Sequence, residues 1–190
     1  YMPPVKGASI PTLIYDDPPQ KVPALTPPRQ FDIVWAMAGS KLKTLKKLLT
    51  LRELWRWEGK TVVFTNGVYD ILHAGHVQLL EKARGLGDVL IIGLNEDRSV
   101  KKLGKGPERP INKFADRAAV LSGLSAVDAI VGFGEETPAE LLAQLRPDIL
   151  VKGGDYKPAQ VAGRESAGKV VIVPLKKGYS TTAVVKKLRG

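Results

Sequence analysis

From residue 60 onward, short runs of β-branched and aliphatic residues alternate with helix-like segments, and no other feature of the chain limits its fold so tightly. The runs are Thr61–Thr65, Val89–Gly93, Ala129–Val131, Ile149–Lys152 and Val170–Val173, bounded by Gly, Pro or Asp. Between them, Ala74–Leu86, Phe114–Gly123, Pro138–Gln144 and Thr181–Leu188 carry helical patterning. Continuously apolar strands separated by helices predict an α/β fold: three layers, with a parallel sheet covered by helices on both faces. In such sheets ligands bind beyond the carboxyl ends of the strands, so function is sought where each run ends.

The first 40 residues read differently. Eight of the 14 prolines fall within residues 1–30. Each removes a backbone donor and turns its neighbour away from helix. Residues 1–40 are therefore expected to be a Pro-rich extension or linker, and 41–190 the folded domain. Ile10, Leu13, Ile14 and Tyr15 are the residues of that extension able to pack on the domain or on a partner. Leu42, Leu45, Leu48 and Leu49 then recur at helical spacing among Lys41, Lys43, Lys46 and Lys47, which predicts an amphipathic basic helix. A second helix is expected over Leu51–Trp57, ending before Gly59.

The absence of cysteine excludes disulfides, thiolate metal sites and a cysteine nucleophile, as expected of a cytoplasmic protein. The sequence holds neither a run of apolar residues long enough to span a bilayer nor a signal-peptide pattern, so no membrane partner is expected. Lys and Arg total 29 against 19 Asp and Glu, a net charge of +10. That balance favours anionic partners: nucleic acid, an anionic surface, or a multiply phosphorylated small molecule. The aromatic residues do not interleave with the basic ones as a single-strand-binding surface would require.

The first run ends in Thr65-Asn66-Gly67-Val68-Tyr69-Asp70-Ile71-Leu72-His73-Ala74-Gly75-His76. A Gly-containing turn leading into a helix places free backbone N–H groups and the positive end of the helix dipole at one spot. Both histidines of the chain stand there, and Gly75 between them is expected to leave room for a phosphate to approach the backbone. Imidazoles beside a helix N-terminus make a triphosphate cradle. Two histidines at this spacing could instead bind a metal, but HExxH is absent, as are GxxxxGK[ST] and GxGxxG. Two adjacent glycines at 153 and 154 permit close ligand approach at another strand end. Ser180, Thr181 and Thr182 follow Gly178 at a helix start, where hydroxyls suit an N-cap and a phosphate alike.

TNGVYDILHAGH resembles the signature of the HxGH nucleotidyltransferases, whose Rossmann-like superfamily includes the class I aminoacyl-tRNA synthetase core. More narrowly, the chain resembles the bacterial ADP-heptose synthase adenylyltransferases, from about Leu42 to Arg189. GLNEDRSV at 93–100, RPIN at 109–112, DRAAVL at 116–121, VKGGDY at 151–156 and GYSTT at 178–182 share the resemblance. Where glycerol-phosphate and choline-phosphate cytidylyltransferases would carry arginine, Ser125 and Leu175 stand, which favours the heptose branch. The stretch Ala162–Lys169 is shorter than in that branch, a departure on the acceptor side.

The resemblance implies catalytic roles for His73, His76 and Lys105. It implies nucleotide binding by Asn66, Gly67, Val68, Tyr69, Lys152, Gly153, Asp155, Ser180, Thr181 and Thr182. Acceptor contacts fall to Lys102, Arg117 and Asp70, with a salt bridge for Arg117 and a structural cap for Asp70 as the alternatives. It implies ATP with Mg²⁺, a sugar 1-phosphate acceptor, no protein metal ligands, a homodimer, and linkage or coupling to a heptose kinase. The expected reaction moves AMP from ATP to D-glycero-β-D-manno-heptose 1-phosphate. The rivals are the same chemistry on another phosphorylated acceptor, a basic nucleic-acid-binding protein, and a non-catalytic domain kept for assembly.

Overall fold

A computed structural model of the chain describes residues 41–104, 106, 108–154, 156–174 and 178–188, so the expected extension over 1–40 lies outside the described residues. Five strands run β1 Val62–Gly67, β2 Val89–Asn95, β3 Ala129–Phe133, β4 Ile149–Gly153 and β5 Lys169–Val173. They form one parallel sheet in the order β3-β2-β1-β4-β5. Helices α1 Leu45–Trp57, α2 Ala74–Arg84, α3 Asp97–Lys102, α4 Phe114–Ser122, α5 Ala139–Leu145 and α6 Thr181–Leu188 connect or flank them. The fold is the α/β Rossmann-like arrangement expected.

Alternation along each strand sends side chains to two cores. Val63, Leu90, Ile92 and Leu94 meet Leu79, Leu80 and Ala83 of α2 and Ala118 and Leu121 of α4 on one face. Phe64, Ile91, Val131 and Leu150 meet Leu48 of α1 and Leu141, Leu142 and Leu145 of α5 on the other. Burial on both faces explains why β2 is apolar at nearly every position.

Residues 45–57 form a single helix where two segments were expected. Arg52 in its middle is the reason. Its guanidinium is buried and donates to the Leu145 carbonyl at 3.2 Å, the Arg146 carbonyl at 2.9 Å and Asp148 Oδ1 at 3.1 Å. That anchor pins the helix centre to the turn between α5 and β4, and Asp148 Oδ2 accepts from the Val62 N–H at 2.7 Å. Thr44 caps the start, its hydroxyl accepting from the Lys47 N–H. Lys46 and Lys47 face solvent, while Leu42 instead bridges to Ile130 and shields the β3 edge. The short helix α3, directly after β2, was not anticipated, because six residues carry too little periodicity to be recognised.

Candidate active site

β1 and β4 are neighbours although the chain visits β2 and β3 between them, so the winding of the sheet reverses at this pair. The loops leaving their carboxyl ends diverge and open a cleft. It has two lobes that share Asn66, Gly67, Val68, Lys152 and Tyr156. The smaller, about 250 Å³, adds Tyr69, His76, Arg109, Gly153 and Thr181; the larger, about 330 Å³, adds Asn95, Glu136, Thr137 and Gln160.

His73 and His76 stack at the entrance of α2, their ring centroids 3.8 Å apart and their planes inclined by 17°. His76 lines the smaller lobe and meets the Tyr69 ring edge-on at 5.2 Å; His73 stands behind it, 6.2 Å from the Tyr179 ring. No side chain caps α2 and no acidic residue occupies its first turn, so its positive end is not offset by a side-chain charge, and His76 of that turn lines the smaller lobe. The turn before it is tight: Tyr69 adopts φ 49°, a left-handed conformation costly for a bulky residue, and its ring lies beneath Gly67. A Cβ on Gly67 would come within 2.9 Å of that ring. Among the described residues the Tyr69 hydroxyl is buried without a hydrogen bond of good geometry, and burial pushes its pKa up to about 12, with the nearby Thr65 side chain pulling weakly the other way. It stays a neutral phenol.

Gly75 does not leave the open space expected of it. A Cβ there would meet Tyr179 Cβ at 3.0 Å and His73 Nδ1 at 3.1 Å, so the glycine lets the imidazole and the tyrosine pack over the helix start. Gly75→Ala is accordingly expected to displace His73 by a few tenths of an ångström. Turnover should fall roughly tenfold with little change in melting temperature, because Tyr179 is half exposed and can yield. Steady-state kinetics beside a melting curve check this.

Burial holds His73 below the usual histidine value, against a weaker upward pull from its own backbone. The unfolded chain therefore binds this proton more tightly than the folded one. The sign follows: stability is full above about pH 6.5 and declines as pH falls from there toward the lowered folded value. An NMR titration should place the His73 midpoint below 6.5, and denaturation midpoints should fall in the same window.

A rigid scaffold supports the lobe from below. The Asp70 side chain is 1% exposed. Its Oδ2 accepts from Arg109 at 2.6 Å and from the Ile111 N–H at 3.0 Å, and its Oδ1 accepts from the Asn112 N–H at 2.8 Å. Asn112 in turn donates its side-chain amide to the Asp70 carbonyl. Asp70 thus acts as a clamp on the 109–112 loop, its oxygens supplied by the chain's own donors. Arg117 is equally committed, donating to the Asn112 carbonyl at 3.0 Å, the Val68 carbonyl at 2.7 Å and Asp97 Oδ1 at 2.7 Å. Of the two alternatives raised by the sequence, its geometry is the salt bridge.

The other expected residues divide. Asn66, Gly67, Val68, Tyr69, Lys152, Gly153 and Thr181 all line the cleft, with Lys152 Nζ donating to Asn66 Oδ1 at 3.1 Å. Ser180 caps α6, its hydroxyl accepting from the Ala183 N–H at 3.0 Å, and Thr182 is exposed beside it. Lys102 ends α3 in solvent and is not among the residues lining the cleft. Lys105, Asp155 and Leu175 lie outside the described residues. Sequence reasoning missed Arg109, Asn95, Glu136, Thr137 and Gln160. RPIN and GLNEDRSV had marked the segments holding Arg109 and Asn95, but nothing local marked Glu136, Thr137 or Gln160.

A parallel sheet with this winding and a donor-lined cleft at the β1–β4 junction place the chain in the Rossmann-like α/β class. Residues 64–187, nearly two thirds of the chain, match the Cytidylyltransferase-like family model, and the chain belongs to that family. The bifunctional protein HldE of Wolinella succinogenes is 57% identical over 136 residues, covering 72% of this chain and 28% of that protein. HldE of Histophilus somni is 49% identical over 156 residues, 80% of this chain and 33% of that one. The chain thus spans about a third of the length of these curated relatives. A lipopolysaccharide core biosynthesis protein of Thermoplasma volcanium superposes with a TM-score of 0.53 at 29% identity, covering 64% of this chain and 100% of that one. A pantoate-beta-alanine ligase of Francisella tularensis, solved with beta-gamma ATP and beta-alanine, shares the fold. Its TM-score is 0.50 at 15% identity, with 72% of this chain and 67% of that one covered.

Proposed function

We propose that this domain transfers AMP from ATP to D-glycero-β-D-manno-heptose 1-phosphate, giving ADP-heptose and pyrophosphate for lipopolysaccharide heptose synthesis. The observation that carries the reading is the stacked histidine pair at the uncapped start of α2, whose His76 lines one lobe of a cleft whose second lobe has room for an acceptor. The identity to HldE proteins supports the choice of heptose.

A phosphate oxygen of the sugar attacks the α-phosphorus in line. The new O–P bond forms as the bond to the bridging oxygen breaks, and that electron pair leaves with pyrophosphate. A sugar phosphate is already an anionic nucleophile, so catalysis reduces to positioning and charge stabilisation. His76, the helix N-terminus and Lys152 hold the developing negative charge, with Thr181 beside the departing phosphates. The donors of the smaller lobe are imidazole, ammonium, hydroxyl and backbone N–H, a set that suits phosphate oxygens. Mg²⁺ fits as an ion carried on the triphosphate and water, where it offsets phosphate charge.

Among the described residues no helix is long and apolar enough to cross a membrane. The cytoplasm, a homodimer and coupling to a heptose kinase in a longer protein belong to the same reading, the last supported by the word bifunctional in the relatives' name. Pyrophosphate release with Mg-ATP tests it, comparing heptose 1-phosphate, glycerol 3-phosphate, pantetheine phosphate and no acceptor. Release with heptose 1-phosphate alone is expected; equal or greater release with another acceptor would move the function to that substrate.

A further inference from the structure

The larger lobe has a wall built from the ends of β2 and β3, and its chemistry is set by a chain of hydrogen bonds. Asn95, the last residue of β2, is 4% exposed and lines the lobe. Its side chain lies 2.8 Å from Ser99 Oγ, and Ser99 Oγ lies 2.8 Å from the Glu135 carbonyl oxygen. A carbonyl only accepts, so the single Ser99 proton goes to Glu135, and Ser99 must accept from Asn95. The Asn95 NH₂ is therefore the end turned to Ser99, and Oδ1 is the end turned away. Among the described residues no group donates to that oxygen. The same chain of bonds tethers Glu135, so the next two residues, Glu136 and Thr137, are held on the rim of the lobe.

This wall is rich in acceptors: an amide oxygen, a carboxylate and a hydroxyl. Such a surface repels phosphate and receives hydroxyl donors. Lys152, at the boundary shared with the smaller lobe, offers the opposite polarity. A ligand with phosphate at one end and hydroxyls at the other would lie with its phosphate at Lys152 and its hydroxyls toward β2 and β3. We propose that Asn95, Glu136 and Thr137 select a polyol phosphate by accepting hydrogen bonds from its hydroxyls, with Ser99 as the positioning residue that fixes the Asn95 amide. The inference rests on adenylyl transfer at this cleft and assigns the acceptor's specificity to particular residues.

The test is Asn95→Leu, which keeps similar bulk and removes the oxygen. With heptose 1-phosphate, KM should rise about 10–100-fold, the cost of a lost hydrogen bond in a buried site, while KM for ATP stays within about twofold. Against monodeoxy analogues of the sugar 1-phosphate, the wild-type preference for the full set of hydroxyls should collapse toward parity. Ser99→Ala leaves Asn95 in place but frees its amide to turn, and serves if the leucine variant folds poorly. It should weaken the same discrimination by a smaller factor. Calorimetric binding of heptose 1-phosphate, with glycerol 3-phosphate and inorganic phosphate as comparators, reads the site without turnover. Absence of pyrophosphate release with retained, Asn95-dependent binding would fail the transfer reading and keep the inference. Unchanged affinity and unchanged discrimination in the variants, or no preference of the wild type for heptose 1-phosphate over inorganic phosphate, would overturn the inference.

Discussion

His76→Ala is expected to lower kcat by roughly 10²–10³-fold, the range found when a single preorganised donor to a developing anion is removed. His76 is the imidazole that lines the smaller lobe, while His73 stacks against its far face at 3.8 Å. A loss in kcat with KM for ATP little changed would mark a contact that strengthens in the transition state. His73→Ala should cost less, because its contribution passes through the orientation of His76. The double variant should fall well short of the product of the two single effects, since both act on one group. Equal, independent losses would show that each histidine contacts the phosphates separately. Full activity in His76→Ala would remove the catalytic role altogether. Pyrophosphate release under saturating heptose 1-phosphate is the measurement.

The second large effect is on stability. Arg109→Ala would leave the Asp70 carboxylate, 1% exposed, without its cation and with only the loop N–H groups as donors. Removing one partner of a buried ion pair costs about 3–5 kcal/mol. For a domain of this size that lowers the melting temperature by roughly 10 °C. Combining it with Asp70→Asn, which neutralises the stranded charge, should recover part of the loss. Arg109 also lines the smaller lobe, so the single variant should bind ATP less tightly even at temperatures where it is folded. A melting temperature within two or three degrees of the wild type would show that the loop holds Asp70 through its N–H groups alone.

The sheet was legible because a parallel strand buried on both faces must be apolar at consecutive positions, and five such runs stand between helical segments. Every strand was placed within two residues of its observed ends. The turn and helix start that line the smaller lobe were legible for a related reason. Val68, Tyr69, His76 and the residues around them sit on one turn and one helix start, within a dozen positions of each other. Local chemistry and the resemblance both reached them.

The sequence left Asp70 and Arg117 open between a ligand contact and a structural role; the fold engages both in hydrogen bonds within the chain, and Tyr179 and His73 pack closely over Gly75. A side chain's free valence depends on what the fold brings against it, and Arg109 meets Asp70 from 39 residues away.

By itself, then, the sequence determined the parallel α/β sheet and the turn that carries the histidines, because hydrophobic burial and helix-terminus chemistry act between residues near in the chain. Only the tertiary structure decided which polar groups stay open to a ligand and what forms the acceptor wall. Asn95, Ser99 and Glu135 come together where β2 and β3 end side by side, and the orientation of one amide follows from a proton shared out across 40 residues of chain.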